Sequence, residues 1–415
     1  MKIIENMPME GAPYYSDKKW VSPMNFLPEV MPKTTPKKVY IHDVTLRDGE
    51  QTCGLNWTED ERVDIGVALN DLGVKSIEVG MPIISDDIVR AVRRLVDMDL
   101  DADIVAFCRA RQDDIDYAIE AGVDKVIVEH AVNPYTNYYA YNVDTDQLLD
   151  RVISAIKYAQ SKGLRVTFMG WDVSRGTLDY AKKVYAEVIE KTSPESIVFT
   201  DSFGVATPHA VFHVIRELKE IAGDIPVEFH VHNEFGMAMG AVVAAVYAGV
   251  DGIHSSINGL GERTGNVATE EVAAALEILL NIDTGIELEK LDEITKMVAE
   301  ITNIPIHPNK PVTGTRLFQL ESGVPVQAKT RLENAGIAAA MTPYLAELVG
   351  RENTQIVLGG SSGKENVQIY LDNLELPYDQ EDIEVLVDKV KKEGRKHRRI
   401  LTKDEFIEIY NSVKK

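Results

Sequence analysis

The segment VYIHDVTLRDGEQ, residues 39–51, begins with β-branched and aromatic residues and ends in a polar stretch that contains a glycine. This pattern predicts a strand over residues 39–46 that is followed by a polar loop. Beyond the loop, residues 59–72 show the apolar spacing that is typical of a helix. The same unit recurs along the chain, and its further β-type runs are 76–81, 103–108, 125–132, 165–171, 196–203, 226–232 and 252–258.

A helical pattern after each β-type run indicates parallel strands that are joined by helical crossovers. Eight such units in about 250 residues match the length of a (β/α)8 barrel. The alternative, an open doubly wound sheet, usually carries a GxGxxG motif after its first strand. The loop here, RDGEQTCG, lacks that motif. The sequence therefore predicts an α/β fold, with a (β/α)8 TIM-barrel catalytic domain over residues 38–285.

The segments on either side of the predicted barrel have different patterns. Residues 1–37 are rich in proline and show no periodicity, so they form either an extended N-terminal arm or a disordered tail. After residue 285 the alternation stops, and residues 286–415 are predicted to form mainly helical C-terminal subdomains. A polar loop is expected over 303–331, and helices are expected at 287–302, near 333–349, at 381–393 and at 403–413.

The net charge limits the partners of the protein. The 415 residues include 66 acidic and 44 basic side chains, which gives a formal charge of −22. Such a field repels phosphate backbones and anionic lipids, so neither nucleic acid nor a membrane is expected as a partner. An anionic substrate then needs a local cation, either a metal ion or an arginine. Two cysteines are too few for a disulfide framework, and there is no signal-type or membrane-spanning apolar run, so we expect a cytoplasmic protein.

TIM-barrel enzymes carry their catalytic groups at the C-terminal ends of the strands. Strand 7 ends in His230-Val231-His232, and because alternate residues of a strand face the same side, both imidazoles point toward the barrel axis. Alone, this pair fits a metal site and a hydrogen-bonded core pair equally well. Asp48 ends strand 1, which only strand 8 separates from strand 7 around the ring. The three side chains together are predicted to bind a divalent cation.

Other polar side chains surround this predicted site. Asn266 is the last residue of the glycine-rich loop NGLGERTGN (258–266) and either reaches the metal or caps the last helix. Arg47 can pin a carboxylate or polarise a carbonyl, and it can also be a structural partner of Glu78 at the end of strand 2. Arg47 and Glu78 are both catalytic candidates. Ser202 offers a hydroxyl group after strand 6. Two further candidate cations for a substrate carboxylate are Arg109 after strand 3 and Arg175 after strand 5.

These motifs resemble those of the isopropylmalate synthase, homocitrate synthase and HMG-CoA lyase superfamily, and they are closest to its synthase branch. The matching barrel segments are DVTLRDGEQ (43–51), IEVGMP (77–82), TDSFGVATP (200–208), HVHNEFGMA (230–238) and NGLGERTGNV (258–267). NKPVTGTRLFQLESG (309–323) and IVLGGSSGKENV (356–367) resemble the C-terminal subdomains of the synthases, which the lyases lack.

The resemblance implies a reaction and a role for several residues. The implied metal ligands are Asp48, His230, His232 and Asn266. Arg47 would contact the oxo group of the substrate, and Ser202 stands where the family usually has a threonine that holds the carboxylate. The implied reaction condenses an acyl-CoA, first of all acetyl-CoA, with a 2-oxo acid and releases a 2-hydroxy di- or tricarboxylate. The cation would be Mn²⁺, Mg²⁺, Co²⁺ or Zn²⁺, and the enzyme would be a homodimer.

Two positions depart from the synthase pattern. Trp171 stands where the synthases carry a glutamate, and Pro325 stands where they carry a histidine that serves acid–base chemistry. Residues 129–142, EHAVNPYTNYYAYN, are also unlike the family, so the substrate pocket is expected to differ. The tyrosines and asparagines of this segment indicate a polar or bulky ligand, and Asn133 is a substrate-binding candidate. The candidate replacements for the two proton-transfer groups are Asp172, Tyr135 and Tyr138.

These departures leave two alternatives open. One is a metal-dependent lyase or aldolase that cleaves a 2-hydroxy acid, or its CoA thioester, by the reverse chemistry. The other is a protein that binds a metal and a ligand without turnover. The complete set of Arg47, Asp48, His230 and His232 disfavours this last interpretation.

Overall fold

The computed structural model of the protein describes residues 11–337, 339, 341–352 and 354–414. Eight parallel strands in these residues close into a barrel, in which each strand pairs with the next along the chain and the last pairs with the first. The predicted (β/α)8 TIM barrel is therefore confirmed. The strands are β1 Tyr40–Asp43, β2 Ser76–Gly80, β3 Asp103–Arg109, β4 Lys125–Ala131, β5 Arg165–Trp171, β6 Ser196–Asp201, β7 Val227–Val231 and β8 Gly252–Ser255.

The local sequence sets the ends of the helices. Thr58 accepts a hydrogen bond from the backbone N–H of Glu61, and the Glu61 carboxylate accepts one from the N–H of Thr58, so a capping box starts the first helix. Gly73 ends it at a φ of 96°, in the left-handed region. The helices are α1 Glu59–Leu72, α2 Asp86–Val96, α3 Gln112–Ala121, α4 Pro134–Thr136, α5 Thr145–Ser161, α6 Leu178–Thr192, α7 Pro208–Ala222, α8 Ala238–Ala248, α9 Thr269–Ala274 and α10 Leu291–Thr302.

The chain divides into two compact units. The first is Met24–Ile306 and contains the barrel, and the second joins the described residues up to Pro23 to those from His307 onwards. The predicted boundaries at residues 37 and 285 stay predictions. The second unit is mainly helical, and its elements are β9 Gln319–Leu320, α11 Gly323–Glu333, β10 Gln355–Ile356, α12 Lys364–Asn373, α13 Gln380–His397 and α14 Lys403–Asn411. No helix in the described part of the chain combines the length and hydrophobicity that crossing a bilayer requires.

The predicted helix near 333–349 is wrong for the described residues. Helix α11 ends at Glu333, and Gly336 then takes a φ of 84° in a turn. Residues 346–349 form only a short 3-10 turn. The alanine-rich composition favours a helix, but Pro343 removes a backbone donor and disfavours the helical conformation of its predecessor. Conversely, α11 and β9 occupy part of the predicted polar loop, and the sequence pattern did not predict α12.

The barrel interior is apolar on one side and polar on the other. Inward side chains of β3 to β6 form an apolar cluster of Val105, Phe107, Ile127, Met169 and Val198. Strands β1, β2, β7 and β8 contribute the fully buried, titratable side chains of His42, Glu78, Glu228 and His254. We call these four residues the polar side of the interior. The His42 and His254 rings stack with their centroids 4.1 Å apart. A hydrogen bond joins His42 to Glu78, and another joins His254 to Glu228.

Arg62 of α1 is a buried cation that ties the helix to the barrel. Its guanidinium donates to the carbonyl groups of Leu46 at 2.6 Å and Val79 at 2.8 Å, and it pairs with Glu50. Arg62→Ala leaves all three acceptors without this partner, so we expect a loss of about 3 kcal/mol in the free energy of unfolding, measured by urea denaturation. The exposed Arg216 forms no hydrogen bond with the described residues, so Arg216→Ala is the control. Equal stability of the two variants would contradict this expectation.

Candidate metal centre and active site

The three side chains that the sequence predicts as metal ligands lie together at the C-terminal end of the barrel. Asp48 lies in a tight turn after β1, in which its N–H and that of the next residue bond to the carbonyl of Val44 at 2.9 and 3.0 Å. Its Oδ2 atom lies 3.5 Å from Nε2 of His230 and 3.6 Å from Nε2 of His232. All three side chains are buried. One ligand atom from each lies within 4.8 Å of the others, which is close enough to share one cation.

The donor atoms of this cluster fit a divalent cation. The Nε2 atoms of His230 and His232 lie 3.2 Å apart, and both Nδ1 atoms are buried with no hydrogen-bond partner among the described residues. The same holds for Oδ1 of Asn266, whose amide nitrogen donates to the carbonyl of Leu260 at 2.9 Å. Burial lowers the pKa of His230 well below its ordinary value, so this imidazole is neutral and offers a lone pair. Imidazoles suit transition-metal ions, and the carboxylate and amide oxygens also suit Mg²⁺.

The glycine-rich loop after β8 covers this cluster. The backbone N–H of Glu262 donates to Oδ1 of Asp48 at 3.2 Å. A Cβ atom on Gly261 would clash with the Asn266 amide nitrogen and would lie 2.9 Å from Oδ1 of Asp48, and the glycine has a φ of 154°. Thr52 holds this glycine through two hydrogen bonds of 3.0 and 3.1 Å. The loop therefore needs glycine here, because only a bare backbone approaches the predicted ligands so closely.

Arg47 links the cluster to β2. Its Nη1 donates to Oδ2 of Asp48 at 3.0 Å, and its Nε pairs with Glu78. The guanidinium carbon also lies 4.4 Å from the centroid of the Phe107 ring. Burial alone would raise the pKa of Glu78, but Arg47 and His42 hold that pKa below its ordinary value. The Nη2 atom of Arg47 is buried and has no partner among the described residues, so one NH₂ group remains for a ligand.

Several of the other predicted residues form hydrogen bonds with Asp172. It follows β5 with a left-handed φ of 58°, and its side chain is fully buried. Arg175 donates to its carboxylate at 2.6 and 2.8 Å, Asn133 at 3.0 Å and Thr136 at 2.6 Å. The Ser202 hydroxyl accepts the backbone N–H of Asp172 at 2.8 Å. The donors come from the loops after β4 and β5, so the carboxylate joins these two loops.

The remaining predicted residues lie outside the metal cluster. Arg109 donates to both carboxylate oxygens of Asp114 at 2.9 Å, and no ion pair or hydrogen bond within the described residues links it to the cluster. Trp171 packs with its ring centroid 5.9 Å from that of Phe203, on which Arg175 also stacks at 3.6 Å. Pro325 lies in the first turn of α11, in the second unit.

Two inward-facing residues near the site were missing from the sequence analysis. Thr200 pairs with His230 across β6 and β7, and its hydroxyl is buried without a partner among the described residues. Glu129 lies near the end of β4. Each follows an inward residue of the apolar cluster, Val198 or Ile127, by two positions. Because alternate residues share one face of a strand, period-two counting could have found both.

A second group of buried donor atoms lies on the polar side of the interior. One atom each of His42, Glu228 and His254 lies within 4.8 Å of the others. Here the Nε2 atoms are already used, because His254 bonds Glu228 at 2.8 Å and His42 bonds Glu78 at 3.1 Å. Hydrogen bonds among the four residues of the polar side thus hold both Nε2 atoms without a further ligand.

Comparison with known proteins identifies relatives along most of the chain. The sequence model of the HMGL-like family matches residues 38–298. The chain is 36% identical over 375 residues to the 2-isopropylmalate synthase of Methanocaldococcus jannaschii, a match that covers 89% of this chain and 70% of that protein. It is also 36% identical over 383 residues to the homocitrate synthase of the same organism, with 92% of each chain covered.

The solved structures agree on the fold. The HMG-CoA lyase of Bacillus subtilis superposes with a TM-score of 0.58 at 23% identity, which covers 66% of this chain and 96% of that chain. The matches to the synthases extend further along the chain than this lyase does, in keeping with the segments that resemble the synthase C-terminal subdomains. The resemblance inferred from the sequence motifs is thus confirmed. The chain belongs to the HMGL-like family and is an enzyme of its synthase branch.

Proposed function

We propose that this enzyme is a divalent-metal-dependent acyltransferase that forms a carbon–carbon bond. It would condense an acyl-CoA, first of all acetyl-CoA, with a 2-oxo acid to a 2-hydroxy di- or tricarboxylate. The observation that carries the proposal is the buried cluster of Asp48, His230 and His232 beside Arg47, whose Nη2 atom has no partner among the described residues. Relatives named 2-isopropylmalate synthase and homocitrate synthase support the class of reaction.

The proposed cation site has four protein ligands. Asp48, His230 and His232 would hold the cation, and the unpartnered Oδ1 atom of Asn266 would complete the protein side. A cation bound there supplies Lewis-acid polarisation and orients the oxo acid. The candidates are Mn²⁺, Mg²⁺, Co²⁺ and Zn²⁺. Asp48 is already held in place by Arg47 and by the loop after β8, so binding requires little rearrangement of this ligand.

Arg47 is proposed to bind the oxo acid directly. Its Nη2 atom would donate to the oxo group or to the neighbouring carboxylate of the substrate. Asp48 and Glu78 fix the rest of the guanidinium, so the donor is positioned before the substrate arrives. Glu78 acts on catalysis through Arg47 and is therefore a positioning residue.

The groups around Asp172 are proposed to line the rest of the substrate pocket. Arg175 is half-exposed beside Phe203 and would compensate a second substrate carboxylate. Asp172 positions this guanidinium. Ser202 and Asn133, which hold Asp172, would contact the carbon chain or a polar end of the substrate. Arg109 is the further candidate cation.

The proposed reaction is tested by the release of CoA. Purified protein with Mn²⁺, acetyl-CoA and a panel of 2-oxo acids, from glyoxylate and pyruvate to 2-oxoglutarate, is expected to release free thiol with at least one acid. Removal of the metal with EDTA should stop the release, and added Mn²⁺ should restore it. A panel that releases no thiol with any of the four candidate metals would contradict the proposed synthase activity.

A second candidate is cleavage of a 2-hydroxy acid or of its CoA thioester. The positions of Trp171 and Pro325 carry no proton-transfer side chain, which favours a reaction that differs from that of the synthases. Pyruvate, glyoxylate or acetyl-CoA should then appear from a library of hydroxy acids without any requirement for free CoA. We also propose a homodimer, on the resemblance to the family alone.

A further inference from the structure

Glu129 carries an acidic side chain at the barrel mouth. The proposed function assigns no role to this side chain. It lies on β4 two residues after Ile127, which belongs to the apolar cluster of the interior. All members of this cluster come from strands β3 to β6, and the cluster occupies the apolar side of the barrel interior. Because side chains two positions apart face the same side of a strand, Glu129 points into the barrel, one step closer to the mouth than Ile127.

Glu129 differs from the other acidic residues near the site in having no partner. Asp48 and Glu78 are paired with Arg47, and Asp172 is paired with Arg175. No hydrogen bond or ion pair from the described residues reaches the carboxylate of Glu129. Its side chain is only partly buried, so the carboxylate keeps access to the mouth. A carboxylate at the mouth that no hydrogen bond or ion pair holds is available for proton transfer.

The charged groups that face Glu129 come from three directions. Arg47 approaches from the loop after β1, and Arg109 and Asp114 approach from β3 and α3. Tyr141, in the π-helical turn after α4, interacts electrostatically with both Glu129 and Asp172. Burial raises the pKa of Glu129 to about 7, because it outweighs the opposing effect of the two guanidinium groups. A carboxylate with this pKa both accepts and returns a proton readily near neutral pH.

We propose that Glu129 is the proton-transfer residue of the carbon–carbon bond-forming step, in an enzyme whose positions 171 and 325 carry no such group. This inference rests on the proposed function. The carboxylate would take a proton from the methyl group next to the thioester, and the C–H electron pair would become that of the enolate. The enolate carbon forms the new bond to the oxo carbon, and the carbonyl electron pair moves onto the oxygen. Glu129 then returns the proton to that oxygen, and hydrolysis of the thioester by water follows.

The kinetic test compares Glu129→Gln with the wild type. Glutamine keeps the size of the side chain but cannot take a proton, so kcat should fall roughly 10³-fold. Metal content and the KM for the oxo acid should stay the same, because Glu129 is not placed among the ligands of either. In the wild type kcat should rise with pH through about 7, since the base is active when deprotonated, and Glu129→Gln should lack this rise. Glu220→Gln on the exposed face of α7 is the matched control.

An infrared difference titration measures the protonation of the Glu129 carboxyl group without turnover. The wild type should show a carboxylic acid band that disappears as the pH rises through about 7, and Glu129→Gln should lack this band. Burial raises the pKa of Asp43 to about 6, so the band of Asp43 should appear in both proteins and cancel in their difference. No band of Glu129 in the wild type, or a Glu129→Gln variant with the wild-type rate, would overturn the inference and leave the proposed function standing. Cleavage of hydroxy acids that depends on Glu129, without condensation, would overturn the proposed function and support the role of Glu129. A wild type that catalyses neither reaction would overturn both.

Discussion

His232→Ala is expected to abolish metal binding and to impair turnover strongly. The variant removes one of two imidazoles whose Nε2 atoms lie 3.5 and 3.6 Å from Oδ2 of Asp48. A bound cation contributes several kcal/mol to the stabilisation of developing charge, and about 1.4 kcal/mol corresponds to a tenfold change in rate. Losing most of this contribution should lower kcat/KM by roughly 10³-fold. Metal content after dialysis, measured by plasma mass spectrometry, should fall from one equivalent to almost none.

The control for this variant is His213→Ala, which removes an exposed imidazole from α7. It should keep full metal content and full activity. The fold should survive His232→Ala, because Arg47 still pairs with Asp48, and circular dichroism should show the spectrum of the wild type. A fully active His232→Ala variant with unchanged metal content would contradict the proposed metal centre.

Arg47→Ala is expected to affect stability and activity together. The side chain is buried between Asp48 and Glu78, so its removal leaves two buried carboxylates without a cation. Breaking a buried ion pair on one side costs about 3–5 kcal/mol of folding free energy. Loss of the proposed Nη2 contact to the substrate should in addition lower kcat by about 10²–10³-fold. Urea denaturation and the thiol-release assay measure the two effects.

The double variant Arg47→Ala/Glu78→Gln separates these two effects. Removing the negative charge at position 78 should recover most of the lost stability but none of the lost activity. Arg47→Lys keeps the charge near Asp48 but loses the planar set of donors, so it should be more stable than Arg47→Ala and still strongly impaired in catalysis. A double variant that recovers activity along with stability would assign Arg47 a purely structural role.

The fold could be predicted because its signals are local. Each strand lies in a short segment that contains β-branched residues, and the caps at Thr58 and Gly73 delimit the helix between β1 and β2. Prediction was poorer in the second unit, where the strands β9 and β10 are two residues each and give no periodic signal. There the alanine-rich stretch after α11 favours a helix by composition, although Gly336 and Pro343 interrupt it.

The site could be predicted only where the order and register of the strands determine which side chains lie together. His230 lies on β7 and His232 directly follows it, and Asp48 lies in the turn after β1, two places away around the ring, so their meeting follows from the topology. The hydrogen bonds from the loop after β4 to Asp172 depend on a left-handed residue and on the path of that loop, which no local pattern encodes. The importance of Glu129 lies in the absence of a partner, and a sequence does not display the contacts that a residue lacks.

The polar side of the barrel interior has a consequence for how such a chain can change over time. His42, Glu78, Glu228 and His254 are each bonded to another member of the group. An apolar replacement of any one would leave its hydrogen-bond partner, a buried carboxylate or imidazole, unsatisfied. The free energy of unfolding would fall even if no reaction depended on the replaced residue. Substitutions at these positions must therefore occur in pairs. A related protein that has lost catalysis would still retain the four residues. The atoms at the mouth that have no partner among the described residues differ in this respect. Stability does not require these atoms, so only selection for function retains them.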